Sequence, residues 1–228
     1  EHISLSILGK VANLPVYSAT VNPAATESSL WINAGTHGDE PATVEAALLF
    51  LEEWPSEYLC NTRVTVTPCL NPSGFIECRR ENADGIDINW AFSREDVPEI
   101  RIIKALISDQ RYTAIVDLHE DWESPGYYLY EQIRDRMPLG HRITERVEEH
   151  CPVNTACEIE GERADRGVIY PSMVVAKRRN GEGVPVEVFN LATDHQITSE
   201  SPSGRPMDER VKAHLTAIAE FLEAYGVR

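Results

Sequence analysis

The stretch NAGTHGDEPATVEAALLFLEEW, from Asn33 to Trp54, puts His37 and Glu40 three residues apart where a strand-like run gives way to a helix-like one. Ahead of it, SLWINAG is a short apolar run ending in Gly35, which reads as a buried strand. Behind it, Pro41 suits the first turn of a helix and Asp39 is a candidate N-cap. Ala46, Ala47, Leu49, Phe50, Leu51 and Trp54 make that helix largely apolar, hence mostly buried. The polar residues between strand and helix are either a charged turn or metal ligands. A lone H-x-x-E is common by chance, so the rest of the chain has to decide.

Working outward, the same alternation recurs. ISLSILG and LPVYSATV read as two strands of a hairpin, and TRVTVT as a strand followed by turn chemistry from Asn71 to Gly74. RRENADGIDINWAF reads as a loop, tightest at Asp84-Gly85. Ile100 to Ser108 is a predicted helix, YTAIVDLHE a strand ending in charge, GYYLYE a short strand, and Gln132 to Glu149 another helix. From Glu160 to Gly183 mainly loop is expected, and VPVEVFNL and HQITSES are two more strand candidates. Val211, Leu215, Ile218, Leu222 and Tyr225 step by four and three along one face of a final helix, with Gly226 to end it. Strands alternating with helices predict a three-layer α/β/α fold around a mixed, mostly parallel twisted sheet. Its 228 residues are expected to form one domain, 1–228, long enough to bury about 70% of its unfolded surface.

Composition narrows the partners. A net charge of −16 argues against nucleic acid and anionic membranes. No apolar run reaches 18 residues. The five cysteines are odd in number and lack C-x-x-C spacing, so they read as reduced, mostly buried thiols of a cytoplasmic protein.

In an open α/β sheet, ligands gather beyond the carboxyl ends of strands. Three polar clusters fall at such places: His37 with Glu40, Asp117-Leu118-His119-Glu120, and Glu200. Catalytic zinc takes three ligands from His, Asp and Glu and leaves a fourth position to water, whose pKa it lowers to about 7. His119, taken alone, is more often a satisfied core or surface histidine of a strand than a ligand.

The order of motifs supplies the context. GTHGDEPA, NPSGF, RENADGIDIN, DLHED and ITSESPSG follow one another from about Trp31 to Gly204. In that order the chain resembles the zinc carboxypeptidase (carboxypeptidase A-like) family, with its succinylglutamate desuccinylase and aspartoacylase relatives. The resemblance implies that His37, Glu40 and His119 bind one zinc ion. It implies that Glu200 is the general base and proton shuttle, and that Arg80 stabilises the oxyanion. Asp87 is then a carboxylate orienting a ligand histidine, expected to be His37, and Asn89 helps hold a substrate carboxylate. These roles make chemical sense, because amide hydrolysis at neutral pH needs an activated water, a proton shuttle and a positive group near the developing charge. Glu187 in VPVEVFNL is the rival base. Glu200 is preferred because Thr198, Pro202 and Gly204 around it fit the family segment.

One position departs from the pattern. Where many carboxypeptidases place an arginine that grips the terminal carboxylate, this chain has Trp90, and an indole offers one donor in place of a planar fork. Either Arg163, Arg166, Lys177, Arg178 or Arg179 substitutes, or the substrate presents an aromatic or apolar group to Trp90, or the site has lost its hydrolase role. Tyr127, Tyr128, Tyr130 and Tyr170 compete for the place of a site tyrosine, and Trp122 is a candidate pocket wall. The expected function is a zinc-dependent metallopeptidase acting on a peptide or peptide-like amide. The alternatives are an N-acyl amino acid deacylase, a murein-peptide amidase and a catalytically silent metal-binding module.

Overall fold

The computed structural model describes residues 3–25, 27–53, 61–108, 110–171 and 183–225. Ten strands are β1 (Ile3–Val11), β2 (Leu14–Val21), β3 (Ser28–Asn33), β4 (Thr62–Thr67), β5 (Ala114–Asp121), β6 (Tyr128–Ile133), β7 (Glu158–Ile159), β8 (Glu162–Asp165), β9 (Val168–Ile169) and β10 (His195–Pro202). The helices are α1 (Pro41–Glu53), α2 (Pro72–Glu77), α3 (Pro98–Ser108), α4 (Gly140–Val147), α5 (Val184–Ala192) and α6 (Met207–Tyr225), with a 3-10 turn at Ile88–Trp90. The strands form one mixed sheet in the order β1-β2-β4-β3-β5-β10-β6-β9-β8-β7. Its centre, β4-β3-β5-β10, is parallel, and the pairings at the flanks are antiparallel except for β6 with β9.

Alternation along the central strands fills both faces. Leu30, Ile32, Val116, Leu118 and Ile197 join α1, α4 and α6 in one core, with Phe50, Ile143 and Phe221 among its members. Trp31 and Ile115 point the other way, into a core with α3 and α5. Full burial of such a side chain contributes about 1.5–3 kcal/mol, so both layers are held firmly against the sheet. This is the expected three-layer architecture.

Several local expectations are corrected. VPVEVFNL is a helix, α5: Val184, Val188 and Ala192 step by four into the α3 core, and Pro185 sits in the first turn. The alternating valines gave a strand signal that packing overrode. The helix expected from Gln132 begins only at Gly140, because Gln132 and Ile133 still pair with Gln196 and His195 of β10. The segment from Glu160 to Gly183, expected to be mainly loop with a short strand or helix at most, contains β8 and β9, with β7 just ahead of it; two-residue turns at Glu160-Gly161 and Arg166-Gly167 join the three. All four turn residues have positive φ, the form that suits a tight hairpin. Asn71 caps α2, so NPSG opens a short helix rather than a simple turn. Asp39 is exposed, and Glu40 is the residue directly ahead of α1. Cys151 is buried and Cys69 half-buried, but Cys78 and Cys157 are exposed, so the four described thiols are not mostly buried. Trp54, Cys60, Lys177, Arg178, Arg179 and Gly226 lie outside the described residues.

Candidate metal centre

His37 and Glu40 stand on the loop between β3 and α1, which the neighbouring segment pins down. Leu70 and Asn71 donate backbone N–H bonds to Ala34 and Gly35 (3.0 and 2.9 Å), and Gly38 donates to Arg79 (3.0 Å). Asn71 also caps Gly74 and reaches the Thr36 and Glu81 carbonyls. The loops touch so closely at Gly38 that a Cβ there would lie 1.9 Å from the Gly74 carbonyl carbon. NPSG is therefore a clamp that sets the ligand loop against the loop carrying Arg80.

His119 comes from β5, at the centre of the sheet, and completes the set. Donor atoms of His37, Glu40 and His119 all lie within 4.8 Å of one another, and all three residues are buried. His37 Nδ1 is 2.6 Å from Glu40 Oε1, His119 Nδ1 is 3.0 Å from Glu40 Oε2, and the two Nδ1 atoms are 3.2 Å apart. On the far side of each ring, Nε2 faces a carboxylate: Asp87 at 3.2 Å for His37 and Asp117 at 3.3 Å for His119. Those carboxylates favour the proton on Nε2 and turn both Nδ1 lone pairs toward one point. Two such lone pairs against a shared carboxylate favour a positive charge between them. Ligands ~2.0–2.1 Å from a tetrahedral zinc would be about 3.3 Å from each other, close to the 3.2 Å between the two nitrogens, while the 2.6 and 3.0 Å to Glu40 are hydrogen-bond distances. The residues fit a metal ion.

The electrostatics agree. Burial opposes charge on His37, but Glu40 and Asp87 outweigh it and raise its pKa. Burial likewise opposes charge on His119, and Asp117 and Glu40 hold it well above the ordinary imidazole range. Against the same burial, the two histidines keep Glu40 down at about 2. The cluster is organised around positive charge at its centre.

Asp87 joins this cluster to Arg80. It accepts from Arg80 Nε at 2.8 Å and from the backbone N–H of Asn89, while Arg80 Nη1 lies 3.6 Å from Glu40 Oε1. Asn82 shapes the loop that delivers Asp87 by accepting from Asp84 and Ile86 N–H. Behind His119, Asp117 accepts from Asn33 Nδ2 at 2.8 Å. Asp117 and Glu120 stand in the polar cluster noted in the sequence, which assigns them no role of their own; Asp-x-His on a strand places both side chains on one face. The Glu120 carboxylate accepts from Ala42 N–H at the start of α1 and pairs with Arg210.

A cavity of about 350 Å³ opens over the three ligand residues, and Arg80, Asn89, Trp90 and Glu200 line it. Glu200 lies beside His119 in the parallel register of β10 and β5. Burial pushes its pKa up to about 8, with Glu40 and Asp121 adding to the rise and His119 opposing it. Glu187 does not line the cavity. Tyr128 and Tyr130 do, whereas Tyr127 points to the opposite core and bonds Ser199, and Tyr170 stands apart. Trp122 is a wall residue at the mouth. Arg163 and Arg166 are not among the lining residues. Among the described residues, Arg80 is the one Lys or Arg in the lining, against carboxylates that include Glu120, Asp121, Glu123, Glu160 and Glu162.

Residues 26–157 match the family model of the succinylglutamate desuccinylase/aspartoacylase catalytic domain. The chain belongs to that family. The matched range carries His37, Glu40, Arg80, Asp87 and His119 and stops short of Glu200. Carboxypeptidase 2 of Trichophyton rubrum is 28% identical over 109 residues, 45% of this chain and 20% of that protein. Carboxypeptidase SOL1 of Arabidopsis thaliana is 32% identical over 103 residues, 36% of this chain and 21% of that protein. The matches thus span about a fifth of these relatives' length. Among solved structures, a Shewanella amazonensis SB2B protein with a provisional metallopeptidase name superposes with a TM-score of 0.86 at 23% identity, covering 99% of this chain and 88% of that one. Carboxypeptidase A of Helicoverpa armigera gives 0.69 at 15% identity, covering 96% and 66%. Murein-tripeptide amidase of Escherichia coli O157 gives 0.66 at 22% identity, covering 96% and 91%. The fold is carboxypeptidase-like, and the His-Glu-His set within it suits a metal ion.

Proposed function

We propose that the chain is a zinc-dependent hydrolase of the metallocarboxypeptidase type that cleaves a peptide or peptide-like amide bond. The observation that carries this reading is the meeting, in one cavity, of the His37–Glu40–His119 set with Glu200 on the adjacent strand and Arg80 at the rim. When bound, one zinc ion supplies Lewis acidity and a water that ionises near neutral pH. His37, Glu40 and His119 would hold it, with Asp87 hydrogen-bonded to the His37 Nε2–H and the Asp117 carboxylate 3.3 Å from Nε2 of His119.

The chain's own groups then divide the work. Glu200 takes the proton of the attacking water and passes it to the leaving amine. Its raised pKa suits that exchange, because a shuttle works best when its proton affinity is close to the operating pH. Arg80, steered by Asp87, offers positive charge where the carbonyl oxygen turns negative. Asn89 and Trp90 contact the substrate at the wall where a guanidinium fork would grip a terminal carboxylate.

A second reading is N-acyl amino acid deacylation by the same machinery. The family match and the tryptophan in place of an arginine favour it. One experiment addresses both: metal content and turnover of the wild type and Glu200→Gln, screened on peptides and N-acyl amino acids. One zinc per chain in both proteins is expected, with turnover reduced about 10²–10⁴-fold in the variant. The active substrate class separates peptidase from deacylase. Bound zinc without turnover of any substrate by the wild type would overturn the hydrolase reading, and a failure to bind zinc would overturn the metal site.

A further inference from the structure

Two elements bring carboxylates to the mouth of the cavity over the metal centre. Asp121 and Glu123 follow His119 at the end of β5, and Glu162 comes from β8 of the β7–β8 hairpin. Alternation along β8 decides which charge faces in. Glu162 is half-buried on the side of Ala164, which packs with Tyr128 and Ile169, while Arg163 is exposed on the other side and does not line the cavity. Asp121 is fixed by accepting from the Tyr128 hydroxyl at 3.0 Å and from Glu123 N–H at 2.8 Å. Other charges of the lining are already matched: Glu120 pairs with Arg210, Arg80 with Asp87, and Glu40 belongs to the ligand set. Asp121, Glu123 and Glu162 have no ion-pair partner among the described residues. Nor do they form a second metal centre, since among the described residues His37–Glu40–His119 is the one set of donors close enough to share an ion. Aromatic rings line the same cavity: Tyr128 and Tyr130, edge to face with centroids 5.8 Å apart, and Trp90, 42% exposed.

We infer that the substrate carries a positive charge, a protonated amine or a guanidinium, beside the scissile amide. This narrows the hydrolase proposed above and rests on it: whether a peptide or an N-acyl amino acid is cleaved, a cation sits next to the bond. Carboxylates together with aromatic faces hold an organic cation, by charge-assisted N–H bonds on one side and the ring quadrupole on another. A cleft lined by one sign also concentrates the opposite charge from solution. The same three carboxylates repel a substrate that brings its own, and such repulsion excludes the wrong partner. Trp90 agrees with this sign: a terminal carboxylate finds no planar fork there, and a cation finds an indole face.

The test offers the metal-loaded 228-residue chain matched peptides and N-acyl amino acids that differ only beside the cleaved bond, with lysine, Nε-acetyl-lysine or glutamate there. An alanine member with a free or an acetylated amino group across the bond separates a terminal amine from a basic side chain as the source of the charge. In one of these two places, kcat/KM for the charged form should exceed its acetylated form ~10-fold or more, and the glutamate form ~100-fold. Glu123→Gln combined with Glu162→Gln should lower that preference ~5-fold or more, whereas Arg163→Gln, on the outward side, should leave it unchanged. A ratio within one protein does not depend on how much of it is folded or loaded. Calorimetry with free lysine, Nε-acetyl-lysine and glutamate reads the same order without turnover, and lysine should bind ~10-fold more tightly than its acetylated form. Equal or faster turnover of the neutral and glutamate forms, or a preference untouched by the double variant, would overturn the charge assignment and leave the hydrolase standing. With no turnover of any member the hydrolase reading falls by itself; lysine bound more tightly than glutamate would then still support a cation-selective cavity, and lysine bound no more tightly would overturn it.

Discussion

Glu131→Ala removes a carboxylate that holds three elements together far from the metal centre. Glu131 is 1% exposed on β6. Its Oε1 accepts from Leu139 N–H at 2.7 Å and lies 2.7 Å from His195 Nε2, and its Oε2 accepts from Gly140 N–H at 3.0 Å. Leu139, at the head of α4, makes no side-chain cap, so Glu131 does that work from the sheet. Truncation leaves two backbone donors and an imidazole nitrogen buried without their acceptor, each costing ~1–3 kcal/mol before relaxation. Breaking such a network typically costs about 3–5 kcal/mol. For a domain of this size that corresponds to a melting point lower by about 6–20 °C. Glu131→Gln keeps the volume and one acceptor but turns an N–H₂ toward a donor, so its cost should fall between the two.

The assay is urea unfolding at saturating zinc and fixed protein concentration, repeated from pH 7 into acid. Burial raises the Glu131 pKa, but His195 and the two N–H groups outweigh it, so the folded value lies below the ordinary 4.5. A depressed carboxylate contributes its full stability above 4.5 and loses it as pH falls toward the folded value. The gap between wild type and Glu131→Ala should therefore narrow below pH 4.5. A cost under ~1 kcal/mol at pH 7, or a gap that does not narrow in acid, would refute the reasoning.

Asp117→Asn and Asp87→Asn should each weaken zinc affinity about 10–100-fold in competition with a chromophoric chelator, and unchanged affinity would remove their proposed hold on the histidines. Gly38→Ala should cost ~3 kcal/mol or more and displace the ligand loop, seen as lost stability and lost metal, since the backbone of Gly74 occupies the space of the new methyl. His214 is fully buried against Ser199, and burial pushes its pKa down to about 3, so it stays neutral in the fold while the unfolded imidazole takes a proton below 6.5. Its burial should destabilise the fold by about 2 kcal/mol at pH 5 relative to pH 7 or above, a loss that His214→Leu should not show in unfolding measured across that range.

The features legible in the chain were those encoded locally. β3, the ligand loop and α1 follow from an apolar run, a polar break and Pro41. His37, Glu40 and His119 fall together because each sits just beyond or at the end of a central parallel strand, which the alternation of strands and helices makes predictable. What stayed hidden depends on partners distant in sequence. Val184, Val186 and Val188 favour a strand by propensity, and only the α3 core makes α5 a helix. The start of α4 is set by β10 pairing through Ile133 and by the Glu131 cap, neither of which lies in the helix's own sequence. Asp117 reads only as a member of a polar cluster, with no role of its own, until His119 and Asn33 are placed around it.

Glu40 has two attachments. Its carboxylate joins the ligand cluster, and its backbone carbonyl accepts from Thr43 N–H and Oγ1 in the opening turn of α1. A side chain cannot leave the cluster without pulling on that turn, and the turn cannot fray without loosening the side chain. Occupancy of the proposed metal site and order at the head of α1 would thus be coupled in both directions, by the same free energy. Any partner or substitution that loosens the head of α1 would then weaken the hold on an ion there, without touching a histidine.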